Sequence, residues 1–191
     1  MAKVQSGTFW IAWANTNARN STSVDDLVEP FKTNVKTFIK ALQNAGATVD
    51  VMATLRSDKR AYLFHWCWLI GLGKAKAATA DTMAGVDIEW NHGDDQKSQA
   101  GAKEMIVGFN LAVPPSSTNP PALHTNHSFG KAIDMEITWK GTINVKQHDG
   151  TLQPVTFLAD VNQNLKLHAI GATYGVMKLT TDAPHWSIDG H

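Results

Sequence analysis

An α+β fold is predicted by two rhythms of apolar residues along the 191 residues. Between Ser23 and Phe109 apolar residues recur mostly at spacings of three and four, the period of an amphipathic helix, with one strand-like segment between. From residue 132, until a last helical stretch near the end, they alternate with a period of two. The run VPPSSTNPP, Val113 to Pro121, separates the two regimes and excludes helix and central strand alike. Helical and strand patterns lying in separate runs define this class.

The elements follow in order. From Ser23 the pattern predicts a helix, with Ser23 as its cap and Asp25 and Asp26 in the first turn, where the helix dipole favours negative charge. Leu27, Phe31, Val35, Phe38 and Leu42 form its apolar face, and Gly46 ends it. TVDVMATLR reads as a strand with Val49, Val51, Ala53 and Leu55 on one face and Arg56 at the start of the turn beyond. A second helix is expected from Arg60 to Leu72; it is apolar nearly all round and therefore buried. A third spans Ser98 to Phe109. The alternation of Ile133, Met135, Ile137 and Trp139 with Ala132, Asp134, Glu136 and Thr138 predicts a strand. Lys140 and Gly141 would turn it into a partner strand, TINVKQH, and VTFLAD would add a third. A last helix is expected from Asn162 to Thr173. The length suits a single domain over residues 1–191, with residues 1–22 as an N-terminal extension and a core over 23–191.

Composition narrows the function. Hydrophobic residues are 43% and charged residues 18% of the chain, so it can bury a core. Formal net charge is zero, which gives no bulk attraction for nucleic acid or anionic membranes. No stretch reaches the ~18 apolar residues of a membrane span. The start of the chain lacks the pattern of a secretory signal peptide. Synthesis in the cytoplasm, without membrane insertion, is the expectation. Cys67 is the one cysteine; it lies in the apolar run YLFHWCWLIGL and is read as a packed residue.

HTNHSFGKAIDMEITW, His124 to Trp139, carries the chemistry. Alternation puts Asp134 on the face opposite Ile133, Met135 and Ile137. His127 lies seven residues earlier, so the chain must bend for the two to converge. Gly130 permits that bend, and Ala132 leaves space between them. A catalytic zinc site uses three protein ligands and keeps one position for water. The tail supplies a third ligand in Asp182-Ala-Pro-His185, where Pro184 fixes an extended or turn geometry. Asp182 would stand beside the metal without binding it, as a general base for a water that zinc activates.

Those two motifs resemble the family of zinc D-alanyl-D-alanine carboxypeptidases and L-alanyl-D-glutamate endopeptidases, which cleave bacterial peptidoglycan stem peptides. Its hallmark is Ser/Thr-x-His-x-x-Gly-x-Ala-x-Asp followed by Glu/Asp-x-x-His, matched here by Thr125 to Asp134 and by Asp182 to His185. The resemblance runs from about Val49 to Trp186. It implies one zinc ion held by His127, Asp134 and His185, and Asp182 as general base. Thr54-Leu55-Arg56-Ser57 resembles, more loosely, the segment whose arginine polarises the scissile carbonyl, which gives that role to Arg56. It also implies an α+β fold with a small antiparallel sheet flanked by helices, hedgehog/D-Ala-D-Ala-peptidase-like, with zinc on the open face of the sheet. Asp-x-Pro-His before an aromatic is similar to phage endolysins of the endopeptidase branch.

The expected function is therefore hydrolysis of peptide bonds in peptidoglycan, as a cell-wall-lytic endopeptidase or carboxypeptidase. The substrate would be a peptidoglycan peptide, with no nucleic-acid partner, and the enzyme a monomer. It would reach the wall after release or by non-classical export. Thr125, His124 and Trp186 are assigned to substrate contacts, although packing is the commoner role for such a tryptophan. His65 is read as a core histidine. The alternative function is a zinc-containing binding module of the same fold that does not turn over; Asp182 and Arg56 both favour the enzyme.

Overall fold

The computed structural model describes residues 3–115 and 117–191. Its elements in chain order are β1 (Val4–Gln5), α1 (Thr8–Asn17), α2 (Phe31–Asn44), β2 (Thr48–Ala53), α3 (Asp58–Gly71), β3 (Ile88–Glu89) and α4 (Asp95–Gly108). After the loop come β4 (Ala132–Thr138), β5 (Thr142–Lys146), β6 (Leu152–Thr156), α5 (Leu165–Thr173), β7 (Met177–Lys178) and β8 (His185–Ser187). The class is α+β, with small antiparallel sheets among five helices of the described residues. Among the described residues, no helix is long and apolar enough to cross a membrane.

The chain divides into two compact units, Met1–Asn20 with Ser57–Thr125, and Ser21–Arg56 with Asn126–His191. In the first, α1, α3 and α4 enclose a core of Trp10, Leu63, Cys67, Ile70 and Met105. As the all-round apolar pattern predicts, α3 is buried on most of its surface, and Ser57 caps it through a hydrogen bond from the Arg60 N–H. Arg60 donates to the carbonyls of Ala14 and Ala18, tying α3 to the end of α1. Cys67 is fully buried and its thiol pKa is pushed well up by burial. β1 and β3 form a short parallel pair. Neither that pair nor α1, which lies in the stretch read as an extension, has a periodic signature in the residues. The helical moment of α1 is weak because its apolar residues do not share one face.

The second unit holds the four-stranded antiparallel sheet, in the order β2-β4-β8-β7. Ile133, Met135 and Ile137 project from β4 into a core completed by Leu27, Phe31, Val35, Phe38 and Leu42, with Leu167 and Ile170 from α5. The apolar face read from residues 27–42 is therefore correct, but the helix is shorter. Ser23 caps only a 3-10 turn, Val24–Asp26, and α2 begins at Phe31. Pro30 accounts for this, because the residue before a proline is driven out of the α region while proline itself suits a helix start.

The expected hairpin between residues 132–139 and TINVKQH does not form. β4 already has β2 on one edge and β8 on the other. The chain leaves the sheet after Thr138, and β5 pairs with β6. α5 likewise starts later than read, after a 3-10 turn at Val161–Gln163. Apart from Ser116, which lies outside the described residues, the run 113–121 contains neither helix nor strand.

Candidate metal centre

Three segments of the second unit converge. His127 lies on a 3-10 turn, Asn126–Phe129, just before β4. Asp134 is on β4, and His185 opens β8 directly across from it in the antiparallel register. On the other side of Asp134 the cross-strand partner is Ala53, which presents only a methyl group. β2 carries a bulge there, since Met135 pairs with Val51 and Asp134 with Ala53, leaving Met52 unpaired and 57% exposed. A bulge re-aims the residues after it. Here it delivers Thr54, whose backbone carbonyl accepts from His127 Nδ1 at 2.6 Å.

Gly130 makes the bend that the sequence demanded. Its φ is +63°, in the left-handed region. A Cβ there would stand 3.0 Å from the Asp26 carbonyl oxygen and 3.2 Å from the Val28 nitrogen, and the Gly130 carbonyl accepts from Val28 N–H at 3.0 Å. Glycine is thus required both for its conformation and for close approach to backbone that no side-chain rotation can move. Gly130→Ala is expected to lose about 1–2 kcal/mol from φ alone, and more from displacement of residues 26–28. Chemical denaturation of wild type and variant measures the difference.

The inward atoms form a tight triangle. His127 Nε2 to Asp134 Oδ1 is 3.2 Å, His185 Nδ1 to Asp134 Oδ1 is 3.1 Å, and His127 Nε2 to His185 Nδ1 is 3.2 Å. His127 and His185 are buried and Asp134 nearly so. A backbone carbonyl can only accept. The ring nitrogen facing it must therefore carry the proton: Nδ1 of His127 donates to Thr54, and Nε2 of His185 donates to the His191 carbonyl at 3.2 Å. In neutral rings the two inward nitrogens are then bare lone pairs. Together with a carboxylate oxygen they make three acceptors facing one another, an arrangement that calls for a cation between them. This group could hold a metal ion.

The outer partners are fixed in turn. Asn126 Nδ2 donates to the His191 carbonyl at 2.8 Å and to Asp189 at 2.7 Å, and the Ser187 hydroxyl accepts from the N–H groups of Gly190 and His191. Such contacts to the far nitrogen of a ligating histidine set its tautomer and ring orientation. Burial raises the Asp134 carboxyl, but in the metal-free protein a proton on an inward ring nitrogen takes the place of the cation, and the hydrogen bonds and charge of His127 and His185 then outweigh burial and hold the group well below the usual carboxylate range.

Arg56 is half-buried, and its backbone N–H donates to the His127 carbonyl at 3.1 Å. Burial pulls its guanidinium down while the charges of Asp134 and Asp182 oppose that. Asp182 is exposed, on the turn that leads into His185. Its carbonyl accepts from the His185 N–H at 3.1 Å, and its charge acts on both Arg56 and Lys178. His124 is exposed and Thr125 half-buried, and both belong to the first unit. Trp186 requires a correction. It is fully buried, packed against Phe38 with ring centroids 5.5 Å apart, so it is a core residue and cannot touch a substrate. On β8 it follows His185 and so faces the opposite side of the strand. His65, half-buried, engages the Pro121 carbonyl through Nδ1.

Sequence reasoning missed Thr54, Asn126, Lys178 and the His191 carbonyl. The two carbonyls carry no side-chain signature. Asn126 occupies a variable position of the motif. Lys178 is a buried lysine on a two-residue strand, too short to show alternation.

No family model matches the chain, and no curated protein matches it either.

Proposed function

We propose that this chain is a zinc-dependent peptidase, of the hedgehog/D-Ala-D-Ala-peptidase-like fold, that hydrolyses peptide bonds in the stem peptides or cross-links of bacterial peptidoglycan. The observation that carries the reading is the triangle of His127, Asp134 and His185. Ligand atoms about 2.0–2.1 Å from a tetrahedral zinc ion stand roughly 3.3 Å apart; the three here are 3.1–3.2 Å apart. Two imidazoles and one carboxylate are a donor set that zinc accepts, and three protein ligands leave a fourth position free. When bound, zinc supplies Lewis-acid chemistry, polarising a carbonyl and bringing the pKa of a water towards 7.

The protein's own groups supply the rest. Asp182, on the turn next to His185, takes the proton of the attacking water and hands it to the leaving amine. Arg56, whose guanidinium interacts with Asp134 and Asp182, faces the charge that grows on the scissile carbonyl oxygen. The resemblance of the two motifs to peptidoglycan peptidases supports the substrate class. On this reading the protein works as a monomer at the cell wall, after release or non-classical export.

Incubation of the zinc-loaded protein with purified muropeptides, followed by mass spectrometry, tests the proposal and identifies the bond. A new peptide or free amino-acid product is expected, lost with a chelator and restored by zinc. Intact muropeptides after incubation with protein of full zinc content would overturn it.

A further inference from the structure

The turn that presents Asp182 and His185 is closed by a ring of backbone hydrogen bonds. The Leu179 N–H donates to the His185 carbonyl at 3.2 Å, the His185 N–H to the Asp182 carbonyl at 3.1 Å, and the Asp182 N–H to the Leu179 carbonyl at 3.2 Å. Each carbonyl has a second lone pair. All three of those lone pairs go to one group, the ammonium of Lys178, which donates to Leu179, to Asp182 and, at 3.2 Å, to His185. Lys178 is 8% exposed, and its Nζ lies 5.8 Å from the centre of the Trp186 ring.

The stoichiometry is complete, with three N–H donors on three carbonyls. Without a cation, three carbonyl dipoles would point at one buried spot, which is costly. A lysine is otherwise a poor choice for a position paired with Trp186 on the core side of the sheet. The turn is also anchored to β4, because the Met135 N–H donates to the Pro184 carbonyl at 2.8 Å. The ammonium therefore sits where it can fix the backbone of both His185 and Asp182 against the strand that bears Asp134.

We infer that Lys178 is a positioning residue for the metal centre, its ammonium acting as an internal cation that sets the turn carrying Asp182 and His185. The inference rests on the triangle taking a metal ion, as proposed above, and not on the peptidase reading. Zinc affinity is measured by competition with a chromophoric chelator, and ligand geometry by the visible spectrum of the cobalt(II)-loaded protein, for wild type, K178M and K178R. K178M is expected to bind zinc about 10–100-fold more weakly, the scale on which groups supporting a ligand act, and to show altered cobalt bands. K178R keeps the charge, but its planar fork reaches fewer carbonyls, so it falls between the two.

Wild-type affinity together with an unchanged cobalt spectrum in K178M would overturn the inference. A wild-type protein that binds no zinc would overturn the metal reading and this inference with it. A measurement on wild type alone covers variants that do not fold. The Lys178 ammonium protons should exchange slowly enough to be seen by nitrogen-15 NMR, and exchange as fast as that of surface lysines would count against the role.

Discussion

Protein carrying Asp134→Ala is expected to bind zinc at least about 100-fold more weakly than wild type, because it loses a ligand rather than a supporting group. The loss follows from the triangle. His127 and His185 keep their outer partners, Thr54 and His191, and remain oriented, but two neutral ligands cannot replace the carboxylate charge. Asp134→Asn separates the contributions, since it keeps the shape and one acceptor oxygen while removing the charge; its affinity should lie between the other two. Chelator competition and metal analysis after dialysis read both variants. The metal-free proteins should differ in acid as well. The Asp134 carboxyl is held below its ordinary pKa, so its contribution to folding is fully present above about pH 4 and is lost as pH falls through the lower folded value. Metal-free wild type should therefore lose stability relative to Asp134→Asn as pH is lowered from about 4, measured as the gap between their thermal midpoints. Wild-type zinc affinity in Asp134→Ala would remove Asp134 from the centre.

How much of this was legible depends on whether side chains or backbone carry the feature. Ile133, Met135 and Ile137 announced the buried face of β4, and the same alternation turned Asp134 away from the core. His127, Gly130, Asp134 and His185 were legible because each needs a particular side chain, or the lack of one, at a fixed spacing. The apolar positions from Leu27 to Leu42 were legible for the same reason, while the helix α2 starts only at Phe31 because Ser23 and Asp25 stabilise a short turn as readily as a long helix. Strand partnership was not legible. Lys140-Gly141 is acceptable hairpin chemistry, yet β5 pairs with β6, while β8, almost fifty residues further on, pairs with the start of β4 at Ala132–Asp134. β4 takes its partners from β2 and β8, far away in the chain on either side, and no local window contains them. Carbonyls that fix a histidine or seat an ammonium are invisible for a related reason, since every residue has one and only the fold decides where it points.

Replacement of Asp182 by alanine should lower kcat for muropeptide cleavage by about 10²–10⁴, the range that a general base contributes, with zinc content unchanged. The second half of that expectation is what makes the experiment decisive. The Asp182 carboxylate is not one of the three converging atoms, and the part of Asp182 that builds the turn is its backbone. Its N–H on Leu179 and its carbonyl beneath Lys178 and the His185 N–H all survive the substitution. Loss of turnover with an intact centre would therefore report on proton transfer and not on folding or metal. Asp182→Asn should behave alike, since an amide keeps the shape but cannot accept the proton. Turnover at the wild-type rate in either variant would remove Asp182 from its role and leave Arg56 as the remaining polar group argued to act on the substrate. If wild type itself binds muropeptides and releases no product, the chemistry fails upstream of Asp182, and the same centre must be read as part of a binding module whose zinc orders the protein rather than cleaving its ligand.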